Sequence, residues 1–451
     1  MSDKQSTKPA RGTRDFLPGD VRRREYVIGV VREVYERYGF EPLETPAVEN
    51  IETLLGKYGE EGNQLIFKIL KRGEHEKTGE ADLALRYDLT VPLARVVAEY
   101  QGVLPTLFKR YQIQPVWRAD RPARGRFREF YQCDIDATGS TSPVVEAEIL
   151  GAVSEILSAL GFSDFVIRIN HRQLLSALLK RAGVQAEQQA SALVAIDKVD
   201  KIGFEGVDRD LASRGFDDAC RRILIAHLNA QVKGPGLSPE WLEWLDLEYR
   251  GADSEGQAGI DNLRQILELA ESGPAASKLS LHPGLARGLS YYTGAIMEIA
   301  VEGIGSLGGG GRYDNLVGMF LGRDVPACGF SLGLERIIVV MTEREMFPAA
   351  VVTSAVDIVV TFLDHGSRVE ALTLAGQLRA IGRRVDVFPE AARKFDKPLK
   401  YASARGARVM AIFGENEVAR GEASVRNLAT REQSSVPRAE AVAAISRILG
   451  A

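Results

Sequence analysis

The sequence is poor in the residues that build metal sites and disulfide frameworks. Its 451 residues include only three cysteines and five histidines. Cys133, Cys220 and Cys328 lie far apart, with no CxxC pair and no cysteine–histidine cluster. This pattern argues against a structural zinc ion and against disulfides, and it is typical of a protein in a reducing compartment. We therefore expect a cytoplasmic location.

Long apolar runs, a leader-like stretch and a surplus of positive charge are also missing. No apolar run of about 18 residues is present, so we expect no membrane span. The N-terminal stretch MSDKQSTKPA is polar, unlike a secretory signal. The net charge is −4, so any site for an anion has to come from a local basic patch.

The length and the texture of the chain predict more than one domain. A chain of 451 residues suits two or three domains of about 150 residues each. Strand-like runs dominate the N-terminal part, which predicts an antiparallel sheet in an α+β domain. After the linker-like stretch MFPAAVVTSAV, alternating β and α segments predict a compact α/β domain with a mainly parallel sheet. The predicted boundaries are residues 1–171 and 278–345 for two parts of the first domain, 172–277 for a helical insertion, and 355–451 for the last domain.

Individual elements can be placed from their periodicity. Apolar residues at helical spacing, from Val27 to Tyr38, predict a helix that Asp20 caps and Gly39 ends. Strands are predicted at "LALRYDLT", "LFKRYQIQPVWRAD", "REFYQCDID" and "FVIRIN", and again at "SYYTGAIMEIAVE". "PARG" predicts a turn between the second and third of these strands.

The segment "VWRADRPARGRFREFYQCDID" concentrates charge in an acidic protein. It contains Arg118, Arg121, Arg124, Arg126 and Arg128, followed by the carboxylates Asp134 and Asp136. Arginines on both arms of a hairpin can form a cradle for phosphates, and the interleaved aromatic residues can sandwich a base. The alternative is a solvated edge strand whose charges discourage aggregation. We favour nucleotide binding.

A glycine cluster, "GIGSLGGGGRYD", follows the last predicted strand. Its spacing Gly303-x-Gly305-x-x-Gly308 is formally a dinucleotide fingerprint, but a lone match of this kind is weak. Glycines that let the backbone approach a small ligand closely are the favoured interpretation. The P-loop pattern GxxxxGK[ST] is absent, which argues against P-loop phosphate chemistry.

Several stretches, in order along the chain, resemble the motifs of class II aminoacyl-tRNA synthetases. "YGFEPLETP" resembles motif 1, with Pro46 as its proline. The arginine-rich segment resembles motif 2, and "GFSLGLERI" resembles motif 3. "RGTRDFLP", "LRYDLT", "ARGLSYYTG" and "GGGGRYDNLV" resemble the histidyl-tRNA synthetase family, and residues 394–428 resemble its anticodon-binding domain. The resemblance implies an α+β fold, with a class II antiparallel-sheet catalytic domain, a helical insertion and a C-terminal α/β anticodon-binding domain.

The resemblance assigns the ATP-binding residues. Arg118 would bind the α-phosphate, and Arg126 of the same motif would also contact ATP. Arg336 of motif 3 would stack on adenine, with Phe130 on its other face. Mg²⁺ should accompany ATP, although its ligands are not assigned.

Arg287 would be catalytic together with Arg118. The resemblance places Arg287 opposite Arg118 across the α-phosphate, as a cationic electrophile in a position peculiar to histidyl enzymes. The alternative is a structural arginine paired with Glu298 or Glu302, because an unpaired buried charge is costly.

The resemblance also assigns the histidine-binding residues. Asp88, Thr90 and Gln132 would bind the α-ammonium group. Asp136 would accept a hydrogen bond from the imidazole, and a tyrosine of the "SYY" pair, with Tyr292 favoured, would meet the other ring nitrogen.

Each of these assignments has a structural alternative. Asp88 could be a turn residue at the end of a strand. Tyr291 and Tyr292 would point to opposite faces of a strand, so that one of them is core or surface. Tyr313, which the resemblance places in the same pocket, could be ordinary packing.

Two features depart from the family pattern. Ser290 stands where the family usually has aspartate in "RGLDYY", which weakens any role for that carboxylate. The motif 2 loop combines bacterial-like "DRPARGR" with eukaryote-like "REFYQCDID", so the way in which it contacts the tRNA acceptor end is open.

The implied function is that of a histidine–tRNA ligase acting as a homodimer on ATP, L-histidine and histidine tRNA. The main rival is a histidine-sensing, synthetase-like regulatory subunit of ATP phosphoribosyltransferase. That paralogue lacks the anticodon-binding domain, whereas this chain has a matching segment. A histidine- or RNA-binding stress sensor is a weaker rival, since no kinase signature is present.

Overall fold

The computed structural model divides the chain into two compact units, Met1–Met346 and Phe347–Ala451. It describes residues 6–73, 78–229, 239–249, 253–286, 291–301, 303–353, 356–391 and 395–450. The four-part domain scheme expected from the sequence is finer than this division and stays a prediction.

The first unit contains a large sheet and a small one. Its strands are β1 (Glu41–Pro42), β2 (Val48–Asn50), β3 (Lys68–Leu70), β4 (Ala81–Leu85), β5 (Phe108–Trp117), β6 (Glu129–Thr138), β7 (Phe165–His171), β8 (Leu279–Leu281), β9 (Ala295–Val301), β10 (Gly305–Arg312) and β11 (Ala327–Gly333). The large sheet has the order β1-β5-β6-β11-β10-β9-β7-β8, and the small sheet has the order β2-β4-β3. The pairs from β5 to β7 in this order are antiparallel, while β1–β5 and β7–β8 are parallel. The predicted antiparallel sheet is therefore confirmed.

Helices of the first unit pack against its large and small sheets, and others fill the stretch of chain between β7 and β8. They are α1 (Pro18–Arg37), α2 (Ile51–Leu54), α3 (Gly59–Gln64), α4 (Thr90–Glu99), α5 (Val144–Ala159), α6 (Arg172–Arg181), α7 (Gln189–Ile196), α8 (Val199–Ser213), α9 (Asp218–Asn229), α10 (Pro239–Tyr249), α11 (Ser254–Ala270), α12 (Gly318–Leu321) and α13 (Leu334–Glu343). Helices α1, α5 and α13 pack against the large sheet. Val31, Ile149 and Ile337 are fully buried there, and each contributes roughly 1.5–3 kcal/mol.

The second unit is a mixed sheet with helices. Its strands are β12 (Ile358–Phe362), β13 (Val385–Val387), β14 (Val409–Phe413), β15 (Glu422–Asn427) and β16 (Gln433–Pro437), in the order β13-β12-β14-β15-β16. Its helices are α14 (Ala349–Thr353), α15 (Arg368–Ala380), α16 (Asp396–Ala404), α17 (Glu415–Arg420) and α18 (Ala441–Leu449). The predicted parallel pairing holds for β12, β13 and β14, and two further strands that the sequence analysis did not predict, β15 and β16, add to the sheet in antiparallel fashion. The short connection between β15 and β16 permits only the antiparallel arrangement.

Three local predictions are also corrected. The first helix begins at Pro18, and its N-cap Leu17 makes no side-chain cap bond. Asp20 lies in the first turn instead, because proline suits the first helical position. The strand predicted at "LALRYDLT" ends at Leu85, and Thr90 already begins α4. The stretch predicted as a linker contains the short helix α14.

Cys133, Cys220 and Cys328 are buried free thiols. In the described part of the chain, no helix combines the length and the apolar character needed to cross a membrane.

Candidate active site

A pocket of about 270 Å³ opens between the large sheet of the first unit and the loop that joins β5 to β6. That loop, residues 118–128, is called the motif 2 loop below. The pocket brings together every predicted site residue that the structure describes: Asp88, Thr90, Arg118, Arg126, Phe130, Gln132, Asp136, Tyr291, Tyr292, Tyr313 and Arg336. Arg287 and Ser290 lie outside the described residues.

The floor of the pocket is set by the register of β6. Gln132, Asp134 and Asp136 alternate along the strand, so their side chains share one face. They lie opposite Gln114, Gln112 and Arg110 on β5 and opposite Gly333, Ser331 and Gly329 on β11. A Cβ atom at Gly329 would lie 1.8 Å from Asp136 Oδ1. The bare backbone of β11 therefore makes room for the Asp136 carboxylate.

Asp136 is held between a cation and a phenol. It is buried, and Arg110 Nη2 lies 2.8 Å from its Oδ2. The Tyr313 hydroxyl donates a hydrogen bond to Oδ1, so Tyr313 does more than fill space. Burial raises the pKa of the Asp136 carboxyl, and Arg110 opposes this shift. The carboxylate is thus fixed in direction and sensitive to the charge of any ligand.

The sequence left open whether Asp88 is a structural turn residue or a residue of the pocket, and in the structure it is both. Its Oδ1 accepts the backbone N–H of Val91 at 3.1 Å, in the first turn of α4, and the Tyr58 hydroxyl at 3.0 Å. The Tyr291 hydroxyl lies 3.5 Å from its Oδ2. Burial raises the pKa of Asp88, while the Val91 N–H opposes the shift. Asp88 therefore organises the start of α4 and faces the pocket at the same time.

Tyr291 and Tyr292 do not lie on opposite faces of a strand, as the sequence had suggested. They precede β9, which begins at Ala295. Both are buried and both line the pocket. Their ring centroids are 5.0 Å apart in an edge-to-face arrangement, and the Tyr291 ring lies 5.8 Å from that of Tyr313. The three rings form one wall.

Two buried oxygens at the floor have no hydrogen-bond partner among the described residues. These are Gln132 Oε1 and Asp134 Oδ1, whereas Asp136 Oδ2 is already ion-paired with Arg110. Gln132 is oriented by donating from Nε2 to Ser331 Oγ at 2.6 Å. A buried acceptor without a donor costs about 1–3 kcal/mol. The floor is therefore suited to a small ligand that carries several N–H donors and positive charge.

The other end of the pocket carries arginines and aromatic rings. Arg118 Nε donates to the carbonyl of Tyr87 at 3.0 Å, and its guanidinium lies 4.3 Å from the Tyr87 ring and 5.2 Å from the Phe130 ring. Arg336 Nη1 donates to the carbonyl of Ser306 at 2.5 Å. Arg126 is more exposed and lies 3.5 Å from Asp120. Fixed guanidinium groups beside aromatic faces suit the phosphates and base of a nucleotide.

The glycines of β10 belong to the sheet itself and not to a dinucleotide loop. Gly308, Gly309 and Gly310 line the pocket within β10. A Cβ atom at Gly310 would lie 2.1 Å from the carbonyl oxygen of Gly329. Gly310 therefore permits a close approach of β10 to β11, and the close approach to a small ligand stays a prediction.

Sequence reasoning missed Arg110, Tyr58 and Glu335 and gave Asp134 no role in the site. Arg110 is fully buried and pairs with Asp136, and the Oε2 atom of Glu335 accepts the Tyr131 N–H at 3.0 Å. A signal was present in "KRYQIQPVW", where polar residues alternate along a strand that is otherwise apolar. Paired with the same alternation in "QCDID", it indicates a polar, ligand-facing side of the sheet.

Family models and curated relatives match nearly the whole chain. Residues 12–337 match the family model described as histidyl-tRNA synthetase, and residues 357–448 match the model described as anticodon binding domain. The histidine–tRNA ligase of Gloeobacter violaceus is 42% identical over 459 residues, which cover 95% of this chain and 96% of the relative. That of Cytophaga hutchinsonii is 41% identical over 450 residues, covering 96% of this chain and 98% of the relative.

Solved structures show the same fold. The histidyl-tRNA synthetase of a Nostoc species superposes with a TM-score of 0.81 at 30% identity, covering 98% of this chain and all (100%) of that one. A Bacillus halodurans structure described as an ATP phosphoribosyltransferase regulatory subunit/histidyl-tRNA synthetase has a TM-score of 0.72 at 22% identity, covering 92% of this chain and 99% of that one. This second likeness shows the fold alone.

The fold and the family models define a class II aminoacyl-tRNA synthetase. More specifically, the chain belongs to the histidyl-tRNA synthetase family. The predicted fold class and the predicted main function are confirmed at this level. The regulatory alternative is not supported, because the curated relatives that are about 40% identical over nearly the full chain are histidine–tRNA ligases.

Proposed function

We propose that the protein activates L-histidine with ATP and transfers the histidyl group to the 3′ end of histidine tRNA. One observation carries the proposal. A single pocket joins a floor of unpaired acceptor oxygens to an end of fixed arginines and aromatic rings. The floor suits a cationic amino acid with an imidazole, and the other end suits ATP.

Histidine recognition follows from the acceptors. Gln132, Asp88 and Thr90 hold the α-ammonium group, and Asp136 accepts the imidazole N–H. The hydroxyl of Tyr313 fixes the Asp136 carboxylate, and Tyr292 meets the other ring nitrogen. A site built to pair with N–H groups discriminates strongly, since an analogue without them leaves buried oxygens unpaired.

Adenylate formation is then a matter of orientation and charge. A carboxylate oxygen of histidine attacks the α-phosphorus of ATP, the new O–P bond forms, and pyrophosphate leaves with the electrons of the broken bond. Arg118, already fixed by the Tyr87 carbonyl, binds the α-phosphate, and Arg126 binds ATP beside it. Phe130 and Arg336 hold the adenine between them. The resemblance assigns to Arg287, which lies outside the described residues, the stabilisation of the charge that builds on the phosphate.

Mg²⁺ accompanies ATP in this proposal. Such an ion is usually held by phosphates, waters and one or two carboxylates. Asp120 and Glu335 line the pocket, and Glu335 Oε1 has no hydrogen-bond partner among the described residues. These two residues would hold the ion, which would neutralise phosphate charge. No cluster of three metal-binding side chains occurs in the described ranges, in keeping with an ion carried mainly by the nucleotide.

Transfer requires tRNA and, we propose, a homodimer built through motif 1 in the cytoplasm. A terminal ribose hydroxyl of the tRNA attacks the carbonyl carbon of the adenylate, and AMP leaves. The unit that matches the anticodon-binding model would bind the anticodon end.

The test is a charging assay with bulk tRNA and labelled amino acids. We expect ATP-dependent attachment of histidine alone, to one tRNA fraction that is protected from periodate oxidation after charging. Binding of histidine without ATP-dependent charging would support the regulatory role and contradict the proposal.

A further inference from the structure

The segment before α1 lies against the motif 2 loop. Residues 11–16 are called the N-terminal strap here. The strap begins in a turn, in which the N–H and the hydroxyl of Thr13 both donate to the Ala10 carbonyl, at 3.0 and 2.8 Å. The strap then contacts the loop at two separate points before the chain enters α1 at Pro18. The proposed mechanism so far gives it no task.

The first contact is a close approach of two backbones. Arg128 N–H donates to the carbonyl of Gly12 at 2.8 Å, while the Arg128 carbonyl accepts the N–H of Arg118 at 2.9 Å. Gly12 has φ +88°, and a Cβ atom there would lie 2.7 Å from Arg128 Cγ. Only glycine fits this position without displacing Arg128. The strap is thus tied to the base of the loop.

The second contact is made by the side chain of Arg14. Its guanidinium lies 3.7 Å from the centroid of the Phe127 ring, a distance at which cation and ring attract. Its Nη2 lies 3.8 Å from Oε1 of Glu335, the first-turn residue of α13. Phe127 and Glu335 both line the pocket. Arg14 therefore joins the outer arm of the motif 2 loop to the start of the motif 3 helix.

Contacts of Arg24 and Glu335 also hold the strap, the motif 2 loop and α13 together. The Arg24 guanidinium, on α1, lies 3.9 Å from the ring of Phe16 in the strap and 4.3 Å from that of Tyr131. Glu335 Oε2 accepts the backbone N–H of Tyr131 at 3.0 Å. The strap, the loop and α13 thus share one set of stacked rings and cations.

We infer that the N-terminal strap is a positioning element for ATP, with Arg14 as its main positioning residue. The inference rests on the proposed function and deepens it. The motif 2 loop carries Arg118 and Arg126. Ordering a mobile loop when ATP binds costs conformational entropy, and this cost weakens ATP binding. By holding Phe127 and Arg128 in advance, the strap removes part of this cost. The histidine end of the pocket rests on β6 and does not depend on it.

The kinetic test compares Arg14→Leu with Arg11→Leu. Both remove one positive charge from the strap, but the Arg11 side chain is exposed and only its carbonyl contacts the loop. We expect Arg14→Leu to raise KM for ATP by about tenfold in ATP–pyrophosphate exchange, with KM for histidine within about twofold. Arg11→Leu should match the wild type, and Arg14→Lys, which keeps the charge, should recover part of the loss.

The second test does not depend on activity. Trypsin can cut the exposed loop after Arg124 and Arg126, and mass spectrometry identifies these cuts. We expect Arg14→Leu and Gly12→Ala to speed both cuts by about tenfold, with an unchanged melting temperature and unchanged cutting in the second unit. ATP should slow the cuts in the wild type.

The outcomes separate the two proposals. A wild-type protein with no exchange activity would refute the proposed function, while faster cutting in Arg14→Leu would still support the strap. An active wild type with unchanged ATP KM and unchanged loop cutting in both variants would overturn the strap. Equal losses for histidine and ATP together with a lower melting temperature would show a merely structural arginine, and would overturn it as well.

Discussion

Asp136 shows most clearly how one residue can set the choice of substrate. It is buried and has two directed neighbours: Arg110 is ion-paired with its Oδ2, and the Tyr313 hydroxyl donates to its Oδ1. The Asn variant keeps the shape and removes the charge. We expect Asp136→Asn to lower kcat/KM for histidine by about 10²-fold, through a lost charged hydrogen bond and lost orientation. Exchange kinetics measure this loss, and an unchanged kcat/KM would mean that Asp136 does not meet the imidazole.

Asp134 gives a prediction about pH and stability. Burial raises the pKa of Asp134, with Arg110 opposing the shift, so the folded protein holds a proton that the unfolded chain has already lost. Stability must then fall as pH rises from the ordinary range of an aspartate to the raised pKa. We expect the melting temperature of the wild type, relative to Asp134→Asn, to fall between about pH 4 and about pH 8. A difference that is flat or rises with pH would contradict the raised pKa.

Arg287 lies outside the described residues, and its catalytic role stays a prediction from the resemblance. A fixed guanidinium across the α-phosphate should stabilise the transition state more than the ground state. We expect Arg287→Ala to slow adenylate formation by about 10²–10³-fold, with smaller changes in ATP and histidine binding. Single-turnover kinetics separate activation from transfer, which should suffer less. Normal activation by a folded variant would leave Arg287 structural.

At the scale of elements, β11 makes room for the Asp136 carboxylate because it has no side chain at Gly329. A Cβ atom at Gly329 would collide with the Asp136 carboxylate at 1.8 Å. We expect Gly329→Ala to displace Asp136 and to raise KM for histidine by about tenfold or more. Gly376→Ala is the matched control, because nothing lies within 4 Å of a Cβ atom at that helical position. If both variants bind histidine normally, the bare strand is not needed for the site.

Element prediction succeeded where the local pattern was strong. The two arms of the motif 2 hairpin follow from their alternation and from "PARG", and the structure pairs β5 with β6 as expected. It failed where tertiary contacts decide. Asp88 ends a strand-like pattern but serves α4, and Tyr291 and Tyr292 precede β9 instead of alternating within it.

The partners of the site were harder to foresee than its motifs. Arg110 reaches Asp136 only because β5 and β6 pair in one particular register, and no local signal gives that register. Arg14 meets Glu335 across more than three hundred positions of sequence. A motif indicates which residues face a ligand, whereas the fold determines what holds them in place.

At the scale of the whole molecule, the two compact units predict separable tasks. The site lies within Met1–Met346, and the match to the anticodon-binding model lies within Phe347–Ala451. Lys397, Lys400, Arg405 and Arg408 form a basic run in the second unit, suited to RNA phosphates. Arg393 and Lys394, which extend the run, lie outside the described residues. The alternative is a solvated helix face.

We expect a chain that ends at Met346 to form adenylate normally but to charge tRNA poorly, by about 10-fold or more, because phosphate contacts are lost. Exchange and charging assays on the same preparation compare the two steps, and a melting curve confirms that the shortened chain is folded. Undiminished charging would remove the anticodon-binding assignment.

The most direct test of the account is ATP–pyrophosphate exchange by the wild-type protein with each common amino acid in turn. The account predicts exchange with histidine alone, at a level that exceeds every other amino acid by at least about 10⁴-fold, as expected where unpaired buried acceptors select for N–H donors. Exchange with another amino acid at a comparable rate, or none with histidine, would contradict the claim that this pocket activates histidine.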